Sequence, residues 1–246
     1  MNSDFEHIEI RGRTLRIVRF FDVPDRPALT ALLQHAGLPT GVSVVVLVGG
    51  ASGLNRAHAA VCEELFTSAL VPVVEMAGAV LIDGGTDAGI MQLAGRARHQ
   101  TAARFPLVGV VAEGTVRWPG RPTARQDAAD LEPHHTHIVA VPGDQWGDET
   151  TWLSAVASAL AGNAPSVTVL ANGGAIAYDD VRESLTAARP VLVLSGTGRT
   201  ADDITTARTS QTADPRAVEA ATCPLLTTVP PHPHAVSTAL AAALKI

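Results

Sequence analysis

Six short, wholly apolar runs recur along the chain, and most of them lead into glycine. With those glycines they lie at 44–50, 79–85, 107–111, 137–141, 167–174 and 191–196. Because apolar residues fill consecutive rather than alternate positions, each predicted strand must be covered on both faces, which is typical of parallel sheets. Ala-rich helical stretches separate most of the runs, at 55–77, 87–103, 149–162, 175–188 and 200–208. The alternation of strand, glycine turn and helix predicts a right-handed β-α-β array.

The remaining segments predict additions to this array. Residues 7–20 contain two partly alternating runs around a glycine turn, which predicts a β-hairpin. We therefore predict a Rossmann-like three-layer α/β/α domain with a mainly parallel sheet over 41–210. An N-terminal hairpin-and-helix appendage over 1–40 and a C-terminal extension over 211–246 complete the expected organisation. Within the domain, Pro72 should break the first long helix, and the aperiodic segment 114–133 is either a lid or disordered.

Composition narrows the possible functions. The chain has 246 residues, 46% of them hydrophobic, and a formal net charge of -6, which argues against binding to nucleic acid or to an anionic membrane. Its only lysine is Lys245, so the body of the chain offers no P-loop or Schiff-base lysine. Cys62 and Cys223 form no C-x-x-C pair, and the N-terminal residues lack the pattern of a signal peptide. We expect a cytoplasmic protein without a metal or another bound cofactor.

Five glycine-containing loops follow predicted strands. In an open parallel sheet the ligand crevice lies beyond the carboxyl ends of the strands. Glycine lets the backbone approach a ligand closely, and helix N-termini favour anions. The loops therefore predict binding of a phosphorylated ligand, although glycines that merely end strands are the alternative. The candidate ligand-binding residues are Gly49, Gly50, Ala51, Gly84, Gly85, Thr86, Gly89, Glu113, Gly114, Thr115, Gly173, Gly174, Ser195, Gly196, Thr197, Gly198 and Arg199.

The standard nucleotide motifs do not fit these loops. The chain contains no G-x-x-x-x-G-K-[ST] sequence, and residues 48–54 match the dinucleotide fingerprint G-x-G-x-x-G only loosely. An ordinary P-loop NTPase or a hydride-transferring dehydrogenase is therefore disfavoured.

The loops instead resemble the signature segments of a known superfamily. Residues 82–91 read IDGGTDAGIM and residues 172–174 read NGG, which is similar to the SLOG superfamily of Lonely Guy enzymes and DNA-processing protein A. Together with residues 48–51, 114–116, 131–137 and 196–202, they are most similar to the N-terminal melastatin homology region of TRP channels and its stand-alone prokaryotic relatives. Each motif is weak alone, but the ordered set is specific.

The resemblance implies a soluble binding or sensing domain for a nucleotide-derived ligand such as ADP-ribose or an NAD-related molecule. Arg199 is the expected guanidinium partner of a pyrophosphate, and Asp144 and Glu113 are candidates for the ribose hydroxyls. Trp118, Trp146 and Trp152 either stack on a base or serve in packing. The resemblance also implies a homodimer, and a downstream effector is not identified by the sequence.

Whether the protein is an enzyme is left open. Lonely Guy enzymes cleave an N-glycosidic bond with a glutamate in P-G-G-x-G-T-x-x-E, and Asp180 occupies the matching position here. A phosphoribohydrolase acting through Asp180 is thus the first alternative, and an oligomerisation scaffold with a vestigial pocket is the second. Asp180 also suits a helix N-terminus simply as an acid. The cluster of His134, His135 and His137 favours structural or ligand hydrogen bonding over metal binding.

Overall fold

The fold is a nine-stranded sheet with helices on both faces, seen in a computed structural model that describes residues 3–121, 123–207, 209 and 214–246. The strands of this sheet are β1 (Ser3–Ile10), β2 (Arg13–Phe20), β3 (Val44–Gly49), β4 (Val80–Asp83), β5 (Leu107–Ala112), β8 (His137–Val141), β9 (Ser166–Ala171), β10 (Val191–Leu194) and β11 (Leu226–Val229). Two further short strands, β6 (Val116–Arg117) and β7 (Ala129–Asp130), pair with each other.

The helices are α1 (Arg26–His35), α2 (Arg56–Leu65), α3 (Val71–Met76), α4 (Gly89–Gln100), α5 (Thr150–Ala161), α6 (Ala175–Thr186), α7 (Thr200–Ala207), α8 (Pro215–Thr222) and α9 (Pro233–Leu244). Every neighbouring pair in the main sheet is parallel except β1 with β2. The predicted three-layer α/β fold with a mainly parallel sheet is confirmed.

The strand order reverses direction once in the middle of the sheet. Reading across, the order is β1-β2-β8-β5-β4-β3-β9-β10-β11. From β3 the chain builds outward through β4, β5 and β8, and then returns to add β9, β10 and β11 on the other side of β3. The carboxyl ends of β3 and β9 therefore flank a topological switch point, where open α/β sheets bind their ligands.

The continuous apolar runs fill both faces of the sheet. In β3, Val44, Val46 and Val48 belong to one buried cluster, whereas Val45 and Leu47 belong to the cluster on the opposite face. Successive strand side chains point to opposite faces, so a strand that is buried on both faces needs apolar residues at consecutive positions. This is the physical reason why these strands lack hydrophobic alternation.

The terminal segments extend the sheet at both edges. In the N-terminal hairpin, β2 pairs in parallel with β8, and Leu29 and Leu33 of α1 are buried in the core. At the other edge, β11 pairs in parallel with β10. The predicted appendage and extension thus share the sheet and core of the central domain.

Among the described residues, one helical segment, Arg56–Met76, is long and apolar enough to cross a membrane by length and composition. This segment remains helical past Pro72, which lies in the first turn of α3. A π-helical turn at Phe66–Leu70 precedes it and accommodates the missing proline N–H. Phe66, Leu70 and Val74 are fully buried in the core. The apolar composition of this segment therefore serves packing within the fold.

The segment 113–133, apart from residue 122, follows a defined path across the carboxyl edge of the sheet. It begins with a 3-10 turn at Glu113–Thr115 and contains the parallel pair of β6 and β7. Thr86 forms an isolated bridge with Leu131, which ties the segment to the turn after β4. Asp127 and Ala129 of this segment line the cavity described next, and its action as a lid stays a prediction.

Candidate functional site

A cavity of about 550 Å³ opens at the switch point. Its walls come from the turns after β3, β4 and β9, from the first turns of α5 and α6, and from the segment before β8. We call it the carboxyl-edge cavity. Its lining residues are Leu47, Val48, Gly49, Gly50, Ala51, Ser52, Gly84, Thr86, Ala88, Met91, Asp127, Ala129, Trp146, Glu149, Leu153, Gly174, Ala175, Ile176, Ala177, Asp180 and Arg199.

The glycine turns pack directly on one another. A Cβ atom on Gly49 would lie 1.9 Å from the carbonyl oxygen of Ala171, and one on Gly89 would lie 1.9 Å from the carbonyl oxygen of Gly50. Gly89 also has a φ of 50°, which favours glycine. The turns after β3, β4 and β9 can therefore converge only because these positions carry no side chain.

The N-terminus of α6 presents backbone donors to the cavity. Gly174 caps this helix without a side-chain hydrogen bond. Within the described part of the chain, no group accepts a hydrogen bond from the amides of Ala175 and Ile176, and both residues line the cavity. Unsatisfied amides at the positive end of a helix dipole form an anion site.

Arg199 lies across the cavity mouth with its charge free. Its Nη1 donates to the carbonyl oxygen of Ser52 at 2.5 Å, and its guanidinium lies against Gly53 and Gly174. Arg199 forms no ion pair with any residue that the structure describes, and its φ of 55° is in the left-handed region. A bidentate donor is thus held between two glycine turns, which suits a phosphate group.

Three buried polar atoms near the turns lack a partner among the described residues, and they are Asp83 Oδ2, Thr86 Oγ1 and Asn172 Oδ1. Asn172 itself is fixed, because its backbone N–H donates to Thr197 Oγ1 and its side-chain amide donates to the carbonyl oxygen of Thr197. Thr86 lines the cavity. Leaving a buried polar group unpaired costs about 1–3 kcal/mol, so the Thr86 hydroxyl is suited to bonding a ligand.

The sequence of this chain matches a family model. A family model described as "SLOG in TRPM, prokaryote" matches residues 42–238. The chain belongs to this family. The resemblance seen in the sequence motifs is confirmed, and membership supports a nucleotide-related ligand-binding or sensing domain.

In this SLOG domain two carboxylates face the cavity from adjacent helices. Asp180 of α6 and Glu149 before α5 both line it. Burial raises the pKa of Asp180 to about 7 and, together with the Glu149 charge, outweighs the hydrogen bond that Thr150 Oγ1 donates to Asp180 Oδ1 at 2.8 Å. Burial also raises the pKa of Glu149. A carboxyl group that titrates near neutrality can accept or deliver a proton.

The segment over the cavity is held by a polar chain. Trp146 Nε1 donates to Asp127 Oδ2 at 3.0 Å, and Arg125 Nε donates to Asp127 Oδ1 at 2.5 Å. Arg125 also donates to the carbonyl oxygen of Asp144. Hydrogen bonds from Arg125 and Trp146 lower the pKa of Asp127. The indole of Trp146 is consequently fixed at the cavity wall.

The other two predicted loops lie at the same edge but outside the cavity lining. Gly196 and Gly198 donate their amides to the carboxylate of Asp202, and Ser195 donates its amide to Val229. From this loop only Arg199 reaches the cavity. Because the amides of 196 and 198 are already bonded, their predicted ligand contacts stay predictions.

The loop at 113–115 has other partners. Arg19 and Arg121 form ion pairs with Glu113 at 2.5 and 3.3 Å. Gly114 donates its amide to Gly143, and the Thr115 hydroxyl donates to Ala112. Further predicted residues that support the cavity without lining it are Asp144, Gly85, Gly89 and Gly173.

Sequence reasoning assigned no role in ligand binding to five residues that line the cavity, namely Glu149, Asp127, Met91, Leu153 and Ile176. Met91, Leu153 and Ile176 read as ordinary core positions of amphipathic helices. Glu149 offered one signal, because an acid directly before an Ala-rich helix and after a glycine turn lies at the carboxyl edge of the sheet.

In the histidine cluster, His135 lies between two buried carboxylates. His135 Nε2 lies 2.8 Å from Asp83 Oδ1, and its Nδ1 lies 2.8 Å from Glu132 Oε2, with all three side chains buried. The two carboxylates raise the pKa of His135 to about 10 against the opposing effect of its burial. Within the described residues, no group of three His, Cys, Asp or Glu side chains could hold a metal ion.

Proposed function

We propose that the carboxyl-edge cavity binds a phosphorylated, nucleotide-derived ligand of the ADP-ribose or NAD type. The observation that carries the proposal is the convergence, at one switch point, of the free α6 amides of Ala175 and Ile176 with the unpaired guanidinium of Arg199. Both are donors suited to a phosphate group, and they face the same space.

The remaining walls suit the rest of such a ligand. Met91, Leu153 and Ile176 provide apolar surface, and Trp146 provides an aromatic ring beside them. Nucleotide bases are recognised by stacking and apolar contact, with few polar groups. The volume of about 550 Å³ falls within the range of about 300–1,000 Å³ of small-molecule sites.

Calorimetric titration with ADP-ribose, cyclic ADP-ribose, NAD and AMP tests the proposal. We expect at least one diphosphate-containing ligand to bind more tightly than AMP, because two phosphate groups engage both the helix end and Arg199. Absence of heat with all four ligands contradicts the proposal.

A second function is favoured by one observation. Asp180, whose pKa is raised to about 7, lies in the same cavity as the free amides. If the ligand is also a substrate, Asp180 is positioned to activate water or stabilise charge at the anomeric carbon during N-glycosidic bond hydrolysis.

Chromatographic detection of free base after incubation with nucleoside monophosphates or NAD separates binding from hydrolysis. A hydrolase releases base at a rate that falls at least a hundredfold in Asp180→Asn. Unaltered ligand after prolonged incubation supports the binding module alone.

A further inference from the structure

A second, larger cavity lies at the opposite edge of the sheet, where the parallel strands begin. It has a volume of about 830 Å³ and lies beside the start of β2, β5 and β8. We call it the amino-edge cavity. Its lining residues are His7, Arg13, Thr14, Arg16, Arg98, Arg104, Pro106, Pro133, His134, His135, Thr136 and His137.

Four guanidinium groups face this cavity without a carboxylate partner. Among the described residues, ion pairs are formed by seven other arginines, namely Arg11, Arg19, Arg117, Arg121, Arg125, Arg182 and Arg216. Within the part of the chain that the structure describes, Arg13, Arg16, Arg98 and Arg104 form none. A protein with a net charge of -6 thus gathers unneutralised positive charge in one depression.

The nearby carboxylates are committed elsewhere. Glu132 is bound by His134 and His135, and Glu75 accepts the backbone amides of Arg104 and Phe105 at 2.8 and 2.9 Å. Glu9, on the hairpin, accepts the hydroxyl of Thr14. None of these carboxylates forms an ion pair with the four arginines. The charges of Glu75 and Glu132 partly offset that of Arg98, so the charges of Arg13, Arg16 and Arg104 are the ones that remain available.

The four arginines differ in the number of hydrogen bonds that their side chains form within the protein. Arg98 Nε donates to the carbonyl oxygen of Phe105 at 2.8 Å, and Arg16 Nη1 donates to that of Ala36 at 3.5 Å. Arg13 contacts only the ring of exposed His99, and no hydrogen bond is formed by the side chain of Arg104 among the described residues. Two of the four are therefore nearly free to rearrange around a ligand.

The positive charge of the arginines lowers the pKa values of nearby histidines. The Arg13 charge lowers the pKa of His99. Burial lowers the pKa of His137 to about 4, and the Arg16 charge adds to that effect. Like charges held together without counter-charge destabilise the fold, so an anion in this cavity relieves a cost that the free protein carries.

We propose that the amino-edge cavity is a binding site for a polyphosphate chain, separate from the carboxyl-edge cavity. Arginine pairs with phosphate oxygens through two parallel hydrogen bonds. Four such groups around 830 Å³ match several linked phosphates better than one. Among the described residues that line the cavity there is no Trp, Tyr or Phe, which favours recognition of the phosphate chain over recognition of a base. The source is either an inorganic polyphosphate or a nucleoside polyphosphate.

Calorimetric titration of the full chain with tripolyphosphate and with ATP, both without divalent metal, tests this proposal. The test variant is Arg13→Gln/Arg104→Gln, which removes the two least occupied guanidiniums. The matched control is Arg96→Gln/Arg182→Gln, which removes the same charge from helix surfaces outside both cavities. Circular dichroism melting checks that both variants fold.

We expect tripolyphosphate to bind the wild-type and control proteins and to bind Arg13→Gln/Arg104→Gln at least tenfold more weakly. Equal affinity for ATP and tripolyphosphate identifies the chain alone as the determinant, whereas tighter ATP binding that is still lost in the test variant identifies a nucleoside polyphosphate. Absence of tripolyphosphate binding, or equal loss in test and control variants, overturns the proposal.

A further variant shows in which of the two cavities tripolyphosphate binds. The tripolyphosphate affinity that is lost in Arg13→Gln/Arg104→Gln should persist in Arg199→Gln, because Arg199 lies at the other edge of the sheet. Any separate binding of tripolyphosphate in the carboxyl-edge cavity should instead be lost in Arg199→Gln alone. If Arg199→Gln abolishes the binding and Arg13→Gln/Arg104→Gln does not, the anion occupies the carboxyl-edge cavity and the proposal is wrong. Failure of ADP-ribose to bind has no bearing on this result.

Discussion

The buried group of Asp83, His135 and Glu132 should make the stability of this protein fall as the pH rises above neutrality. His135 holds its proton in the folded state up to a pKa of about 10, whereas an unfolded histidine releases it near 6.5. Because the folded state keeps a proton that the unfolded state has lost, the contribution is full below about pH 6.5 and disappears towards pH 10. The expected slope is about 1.4 kcal/mol per pH unit.

Urea denaturation between pH 7.5 and 8.5 isolates this effect. Asp180, with a pKa raised to about 7, and His137, with a pKa lowered to about 4, complete most of their titration below this window. Burial raises the pKa of the Cys62 thiol to about 12, so its linked effect has the same sign and grows only towards the upper end of this window, where an unfolded thiol begins to ionise. The slope in the chosen window therefore belongs mainly to His135.

His135→Gln supplies the comparison. Removing the imidazolium leaves two buried carboxylates without a cation, and breaking a buried pair in this way costs about 3–5 kcal/mol. The variant should be destabilised by that amount at pH 6.5 and should lose the slope. His234→Gln, on an exposed position of α9, serves as the control. A wild-type free energy of unfolding that stays constant from pH 7.5 to 8.5 contradicts a protonated His135 in the folded state.

Three further predictions concern single residues. Gly49→Ala should lower the free energy of unfolding by about 1–3 kcal/mol, because its Cβ would lie 1.9 Å from the Ala171 carbonyl oxygen. Thermal melting should show this loss and leave the control Gly84→Ala nearly unchanged, whereas equal losses in the two variants contradict the close packing at Gly49. Between about pH 4 and 7 the Asp180 carboxyl keeps its proton in the folded state and loses it in the unfolded state, which lowers the stability of the wild type as the pH rises. Asp180→Asn should remove this fall. Free energies of unfolding in urea that change with pH in the same way in both proteins contradict it. Cys223, half-exposed, should react with a thiol reagent before buried Cys62, so Cys223→Ser should abolish the fast phase of labelling.

The strands of the sheet were predictable because their burial on both faces leaves a local signature. An apolar run such as 44–48 is read directly from the sequence, and its glycine turn marks the carboxyl edge. β11 left no such signature, since Leu226–Val229 includes two threonines and lies at the sheet edge. The order of the strands in the sheet could not be predicted from local sequence patterns either, because it depends on contacts between distant segments.

The site was predictable only in part, for a related reason. Turns at the carboxyl ends of parallel strands must share an edge, so Gly49, Gly84 and Gly174 could be grouped from the sequence. Which amides remain free depends on side chains that fold back, as Asp202 does on Gly196 and Gly198. Asp127 is placed at the cavity by Arg125 and Trp146, and no sequence spacing encodes that contact.

The phosphate site is tested by calorimetric titration of ADP-ribose into the wild type, Arg199→Gln and Arg96→Gln. We expect binding to the wild type and to Arg96→Gln, and affinity at least tenfold weaker for Arg199→Gln, equivalent to a loss of about 1.4 kcal/mol or more. Equal affinity in all three proteins, or no binding to the wild type, contradicts a phosphate site formed by Arg199 and the N-terminus of α6.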